Sequence, residues 1–383
     1  MRSDQDGDHF GEQAAAGEVR FEAPSETVLR SVRRELALWY ASHKRDLPWR
    51  HTSDPYEIWV SEAMLQQTRV ETVREYWPRF LERFPTATAL AEADEEAVLE
   101  AWSGLGYYRR ARSLQAAARV IAAEHGGVFP RDLDAALDLP GVGPYTAGAV
   151  VSIAYDEPAA LVDGNVERVF ARLFGMEGVR GSGPLGRACW AAASHFVEPL
   201  DGAVRPSVWN QALMELGALV CTPRSPRCEE CPLAASCVAR ERGNAVGIPR
   251  PKPRRASTEV ELEVYVIERG GRWLLEQREE GGLMGGMWQF PTVEVTSSGL
   301  FPEELAPELA PAVEPEHDLI ALSHGITHHR IRARVRAARL AGDGGRAGAW
   351  FAPAEAADLA LTGMARKVAE RLAPERDPLF DRG

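Results

Sequence analysis

The sequence predicts a multi-domain chain, an all-helical region through about residue 245 followed by a smaller α+β domain. Apolar residues recur at helical spacing through the first two thirds of the chain and switch to a period of two beyond residue 258. The switch is marked by Gly247-Ile248-Pro249-Arg250-Pro251-Lys252-Pro253-Arg254-Arg255, proline-rich and basic, as a semi-rigid linker is. With 383 residues and 45% hydrophobic content, the chain can bury two cores.

In chain order, residues 1–25 are polar and without period, which predicts a disordered tail. Leu29, Val32, Leu36 and Trp39 then predict a helix from about Ser25 to His43, and Arg45 to Arg50 a loop. Asp54-Pro55-Tyr56-Glu57 reads as an N-cap, a proline at the first helical position and a glutamate two residues further on. The helix it starts carries Ile58, Glu62 and Leu65 at i, i+4 and i+7, so a carboxylate sits within an apolar stripe. Burial raises a carboxyl pKa, which suits a general acid; the plainer alternative is a glutamate at the stripe's edge, paired with an arginine. The loop Ser103 to Arg110 combines glycine, tyrosine and arginine, which suits an unstacked base and its phosphates.

Between two helical runs, Asp132 to Asp138 and Pro144 to about Ala154, lies Leu139-Pro140-Gly141-Val142-Gly143. Gly141 and Gly143 allow a tight turn, and the amides of the turn and of the next helix's first turn suit a phosphate oxygen. Asp163 is an expected N-cap for a further helix. Cys221, Cys228, Cys231 and Cys237 are spaced C-x6-C-x2-C-x5-C, which predicts a metal site and leaves both zinc and a [4Fe–4S] cluster open. Beyond the linker, Val260, Leu262, Val264 and Val266 alternate, Gly270-Gly271 turns a hairpin, and Ile331, Ala333, Val335 and Ala337 alternate again. Two helical segments, near 353–360 and 362–372, close the domain.

The formal net charge of −12 argues weakly against nucleic acid. Residues 221–256 nevertheless carry eight arginines and lysines against three glutamates. No apolar run is long enough for a membrane span and the N-terminus is not signal-like, so a cytoplasmic protein without membrane attachment is expected.

Together these stretches resemble the MutY family of adenine DNA glycosylases, in the helix-hairpin-helix base-excision superfamily. The resemblance spans roughly residues 28 to 372 and rests on Leu47-Pro48-Trp49-Arg50, the run Trp59 to Thr68, Gly104-Leu105-Gly106-Tyr107-Tyr108, the hairpin 139–143, Val162-Asp163-Gly164-Asn165-Val166 and the four cysteines. It implies a helix-hairpin-helix glycosylase fold with a six-helix barrel over about 52–155 and a cluster domain from about 26–51 plus 156–245. A linker, 246–258, and a Nudix-like 8-oxoguanine recognition domain, 259–375, would follow. The cofactor implied is a [4Fe–4S] cluster, and the partner is double-stranded DNA carrying an adenine mispair, bound by a monomer.

The resemblance also assigns roles. Glu62 matches the general acid that protonates adenine, Asp163 the carboxylate that stabilises an oxocarbenium-like sugar, and Asn165 the residue that orients the pair. Trp49, Arg50, Leu65 and Gln211 match the adenine pocket, Gln67 and Tyr107 the groups inserted into the base stack, and Thr68 a residue beside the orphaned purine. Tyr145 stands where strand-nicking relatives carry a lysine, which predicts a monofunctional enzyme. Arg224 and Arg227 join Gly141 and Gly143 as expected contacts to the DNA backbone. Ser323 and His324 fall in Leu322-Ser323-His324, where the family has a Phe-Ser-His turn touching 8-oxoguanine. The run Gly286 to Pro291 is Nudix-like, but no glutamate-rich metal helix follows it. Rival readings are another lesion-specific glycosylase with lyase activity, a Nudix hydrolase fused to a DNA-binding module, and a lesion-binding protein without catalysis.

Overall fold

Leu29, Val32, Leu36 and Tyr40 form the buried stripe of α1 (Glu26–His43), which packs along α11 (Pro206–Leu219) in the core of the helical region. The computed structural model describes residues 19–198, 202–253, 257–279, 284–296, 313–326, 328–340 and 348–372. The expected disorder of residues 1–25 does not hold for 19–25. These run extended into α1, with the Phe21 ring edge-on at 5.1 Å from Phe174 and tilted at 5.8 Å from His195. An aromatic edge contact outweighs the flexibility of a few residues, and a lone phenylalanine has no period to announce it.

After α1 come α2 (Pro55–Leu65), α3 (Val70–Arg83), α4 (Ala87–Glu92), α5 (Glu95–Ala101), α6 (Arg109–Glu124), α7 (Leu133–Leu137) and α8 (Pro144–Tyr155). Residues 52–155 hold seven helical segments, three of them of seven residues or fewer. Asp54 caps α2 as read, accepting from the amides of Tyr56 (2.8 Å) and Glu57 (3.4 Å). Next are α9 (Gly164–Leu173), α10 (Gly183–Val197), α11 and α12 (Val238–Glu241). Phe170, Phe196 and Trp209 fill the core between α9, α10 and α11, with Phe196 stacked on Trp209 at 5.3 Å. No helix among the described residues is long and apolar enough to cross a membrane.

The chain divides into two compact units, Met1–Ala93 with Arg110–Pro253, and Asp94–Arg109 with Arg254–Gly383. The segment 94–109, expected within the helical barrel, groups with the second unit. The first residues of the expected linker are not a spacer. Ile248 is buried, Arg172 donates to its carbonyl at 2.8 Å, and Arg250 exchanges 2.8 Å backbone bonds with Gly178 and Arg180.

The second unit is built on a sheet in the order β3-β2-β1-β6-β5. Its strands are β1 (Thr258–Arg269), β2 (Arg272–Gln277), β3 (Trp288–Gln289), β4 (Thr292–Glu294), β5 (Val313–Ile326), β6 (His329–Leu340) and β7 (Ala349–Phe351). β1 runs parallel to β6 and antiparallel to β2 and β4, β5 pairs antiparallel with β6, and β7 pairs with β2. Gly270 and Gly271, at φ +59° and +72°, make the tight β1–β2 hairpin. Val260, Leu262 and Val264 pack against Ala365, Val368 and Ala369 of α14 (Gly363–Leu372), which follows α13 (Pro353–Asp358).

Candidate active site

α2, α8, the start of α9 and α11 surround a cavity of about 290 Å³ within the first unit. Glu62, on the core-facing side of α2, is 6% exposed. The Tyr145 hydroxyl, from the first turn of α8, donates to its Oε2 at 2.7 Å and also meets Met214 Sδ at 3.3 Å. Burial pushes the Glu62 carboxyl up to about 7, aided by the charge of Asp163 and opposed by the Tyr145 bond and by Arg50. The edge-of-stripe alternative, a glutamate paired with an arginine, therefore does not describe Glu62. Burial likewise holds the Tyr145 phenol well above its usual range, so it remains a donor.

Asp163 caps α9. It accepts from the amides of Asn165 (2.9 Å) and Val166 (2.7 Å) and from the Asn165 side-chain amide (3.0 Å). Asn165 is fixed in turn by Arg168, whose guanidinium donates to its Oδ1 (3.0 Å), to the Gly217 carbonyl (2.8 Å) and to the Cys221 carbonyl (2.7 Å). A Cβ at Gly217 would stand 2.7 Å from the Asn165 Cβ, so α11 can approach this turn only with glycine there.

Trp49, Arg50, Leu65, Thr68 and Gln211 line the same cavity. Arg50 places both terminal nitrogens on the Glu215 carboxylate, at 2.9 and 2.8 Å, and Arg45 adds a further bond at 2.7 Å. Burial pushes Glu215 up, but these two arginines outweigh it and hold the carboxyl at about 2. Gln211 accepts from the Tyr40 hydroxyl at 3.1 Å and donates to the Ser207 carbonyl at 3.1 Å, which sets the orientation of its amide. Sequence reasoning missed Tyr40, Arg45, Met214 and Glu215. Glu215 stands in the apolar run of α11 much as Glu62 stands in α2, so the same local signal could have found the glutamate, though not its arginine partners.

Other expected contacts lie elsewhere. Gln67 and Tyr107 are exposed and take left-handed backbones at φ +59° and +50°. Gly141 is left-handed at φ +73° and faces Ser113, whereas Gly143, at φ −93°, caps α8 in a conformation open to any residue. Arg224 is exposed. Arg227 is exposed too, but its guanidinium is already engaged by the Leu219 carbonyl (2.7 Å) and Glu230 (2.8 Å). Ser323 and His324 belong to the second unit and lie in strand β5, not in a turn. Alternation there buries Leu322 and exposes Ser323. Burial and the nearby Lys367, 3.1 Å from Nδ1, press the His324 pKa down.

The four cysteines form no disulfide and surround a small cavity of about 20 Å³ that also meets Arg172 and Arg240. Arg172 donates to Cys221 Sγ at 3.3 Å and to the carbonyls of Thr222 and Pro223. Four thiols around one small space, one of them already accepting from a guanidinium, suit a cationic iron–sulfur group that takes thiolates.

Three family models match the chain: HhH-GPD superfamily base excision DNA repair protein over residues 60–192, iron-sulfur binding domain of endonuclease III over 221–237, and NUDIX domain over 263–371. An adenine DNA glycosylase of Mycolicibacterium smegmatis is 43% identical over 240 residues, covering 61% of this chain and 78% of that protein. The chain belongs to the adenine DNA glycosylase family. The member from Rattus norvegicus is 38% identical over 319 residues, covering 70% of this chain and 61% of its own length. The chain thus spans about three fifths of that relative. The structure of a thermostable thymine-DNA glycosylase superposes with a TM-score of 0.50 at 30% identity, covering 56% of this chain and 98% of that one. The iron–sulfur match runs from Cys221 to Cys237 and contains Cys228 and Cys231, so the chain carries an iron–sulfur cluster segment with which the arrangement of its four cysteines is consistent.

Proposed function

We propose that this chain is a monofunctional DNA glycosylase that removes adenine mispaired with 8-oxoguanine, and with guanine, from double-stranded DNA, acting as a cytoplasmic monomer. One observation carries the reading: a buried acid raised to about 7 and a capped carboxylate line one cavity. The target base must leave the stack, because neither carboxyl can reach it inside a duplex. Trp49, Leu65 and Gln211 form walls for the flipped base. Glu62, protonated in part at neutral pH, gives its proton to the adenine ring, and the C1′–N9 bond breaks with its electron pair passing to the base. Asp163 answers the positive charge left on the sugar, and water adds at C1′ with loss of a proton. Two carboxyl groups, one giving a proton to the base and one facing the sugar, serve the two developing charges.

Arg45 and Arg50 are the cationic residues among those lining the cavity, and both are bound to Glu215. With Tyr145 hydrogen-bonded to the acid, no lining residue offers an amine for a Schiff base, which supports base release without strand cleavage. Bound at the four cysteines, a [4Fe–4S] cluster supplies a rigid joint for the 221–237 loop. Arg224 contacts the phosphates, and Ser323 and His324 of the Nudix-like unit read the purine opposite.

The test is single-turnover adenine release from a duplex with adenine opposite 8-oxoguanine. Native protein releases adenine and leaves an abasic site, and Glu62→Gln slows release by about 10²–10⁴-fold, the span of a general acid. No release by native, cluster-loaded protein would overturn the reading.

A further inference from the structure

Among the described residues, Gln67, Tyr107, Asp156 and Met284 are the non-glycine residues with a left-handed backbone. Side chains avoid that region, so the turn carrying exposed Gln67 must be held from outside. The turn follows the end of α2 at Leu65, where the last carbonyls lack helical partners. Arg110 fills that need. Its Nη1 donates to the carbonyls of Ala63 (2.9 Å) and Met64 (2.8 Å), and its Nη2 donates to the Thr68 hydroxyl (3.0 Å). One planar guanidinium thus grips the chain before and after Gln67, and Leu65 and Thr68 of the same turn line the active-site cavity. Lysine, a compact point donor, cannot span three acceptors so placed.

We propose that Arg110 is a positioning residue that sets the turn from which Gln67 projects, and so governs extrusion of the target base. The assignment rests on the reading of Gln67 as the group that enters the base stack. It differs from the plain reading of an arginine beside the Gly-Tyr-Tyr loop as a phosphate contact, because both terminal nitrogens are bound within the protein.

Two measurements on the full-length, cluster-loaded protein test it, using a duplex with adenine opposite 8-oxoguanine. In a double-mutant cycle of single-turnover adenine release, Arg110→Lys and Gln67→Ala each slow the reaction at least about tenfold. The double variant is then no slower than the slower single variant within about twofold, because both act through one turn. Effects that multiply instead would mean Arg110 acts as a general structural residue and overturn the assignment. A Gln67→Ala variant as fast as native would overturn the reading of Gln67 and the role of Arg110 with it. In the second measurement, the slope of log affinity against log salt stays unchanged in Arg110→Met. A slope lowered by about one identifies Arg110 as a phosphate contact and rejects the proposal. Should Arg110→Met not fold, the cycle with Arg110→Lys decides alone.

Discussion

Glu62 and Glu215 are carboxyls on the wall of one cavity, yet their surroundings drive them apart. Glu215 meets two guanidinium groups and is held at about 2, while Glu62 meets a neutral tyrosine hydroxyl and rises to about 7. Adenine release should therefore be fastest below pH 7 and fall about tenfold per unit above it, as the acid form of Glu62 is lost. The Tyr145 bond favours the ionised form, so Tyr145→Phe should move the midpoint of the pH–rate profile upward; a midpoint unchanged or lowered would contradict this geometry. For Glu215 the sign is reversed. Its folded pKa lies below the ordinary 4.5, so its contribution to stability is complete above about pH 4.5 and is lost as pH falls toward 2. Glu215→Gln should leave two arginines without their counter-charge, costing about 3 kcal/mol at pH 7 and flattening the stability profile in that acid window, as denaturant titration can show. The sequence exposed Glu62, Tyr145 and Asp163 through local motifs. It concealed the Glu215 cluster, since Arg45 and Arg50 lie far away along the chain and meet it only after folding.

At the scale of elements, helix termini do most of the positioning. Asp163 is placed by the N-terminus of α9, and Tyr145 by the first turn of α8, where Pro144 starts the helix. These starts were legible, because caps and prolines leave local signatures. The strand β5 was not. Its opening Val313-Glu314-Pro315-Glu316 is charged and contains proline, which an edge strand tolerates because its N–H side needs no partner. The register shifts near Pro315 and Ile320 further blur the alternation. The turn expected at Ser323 and His324 comes from the family resemblance alone, and no local alternation stands against it. The packing of α11 against the α9 cap gives a prediction of its own. Gly217→Ala would drive a methyl into Asn165, so adenine release should fall at least about tenfold with a stability loss of about 1–3 kcal/mol. Native activity in that variant would show that Asn165 does not orient Asp163.

For the whole molecule, a net charge of −12 sits uneasily with a DNA partner unless charge is local. Eight of the basic residues gather in 221–256, and the cysteine loop carries Arg224 and Arg227 three positions apart in sequence. Their partners separate them. Arg224 is exposed, whereas Arg227 spends one terminal nitrogen on the Leu219 carbonyl at 2.7 Å, where it helps to finish α11. Its other pairing, with Glu230, is between exposed groups and is worth little. Duplex affinity should fall steeply with salt, and Arg224→Ala should lower the slope of that dependence by about one, since one released counterion is lost. Arg227→Ala should lower the slope by less, because neutralising Glu230 already occupies part of its charge, and should instead loosen the end of α11 and the first cysteine that follows it. The discriminating measurement is a salt titration of affinity beside thermal unfolding for both variants. Equal slopes with equal melting points would show that the loop meets DNA through both arginines alike. A split, with slope lost in one variant and stability in the other, would show that neighbouring arginines of the cysteine loop serve different ends.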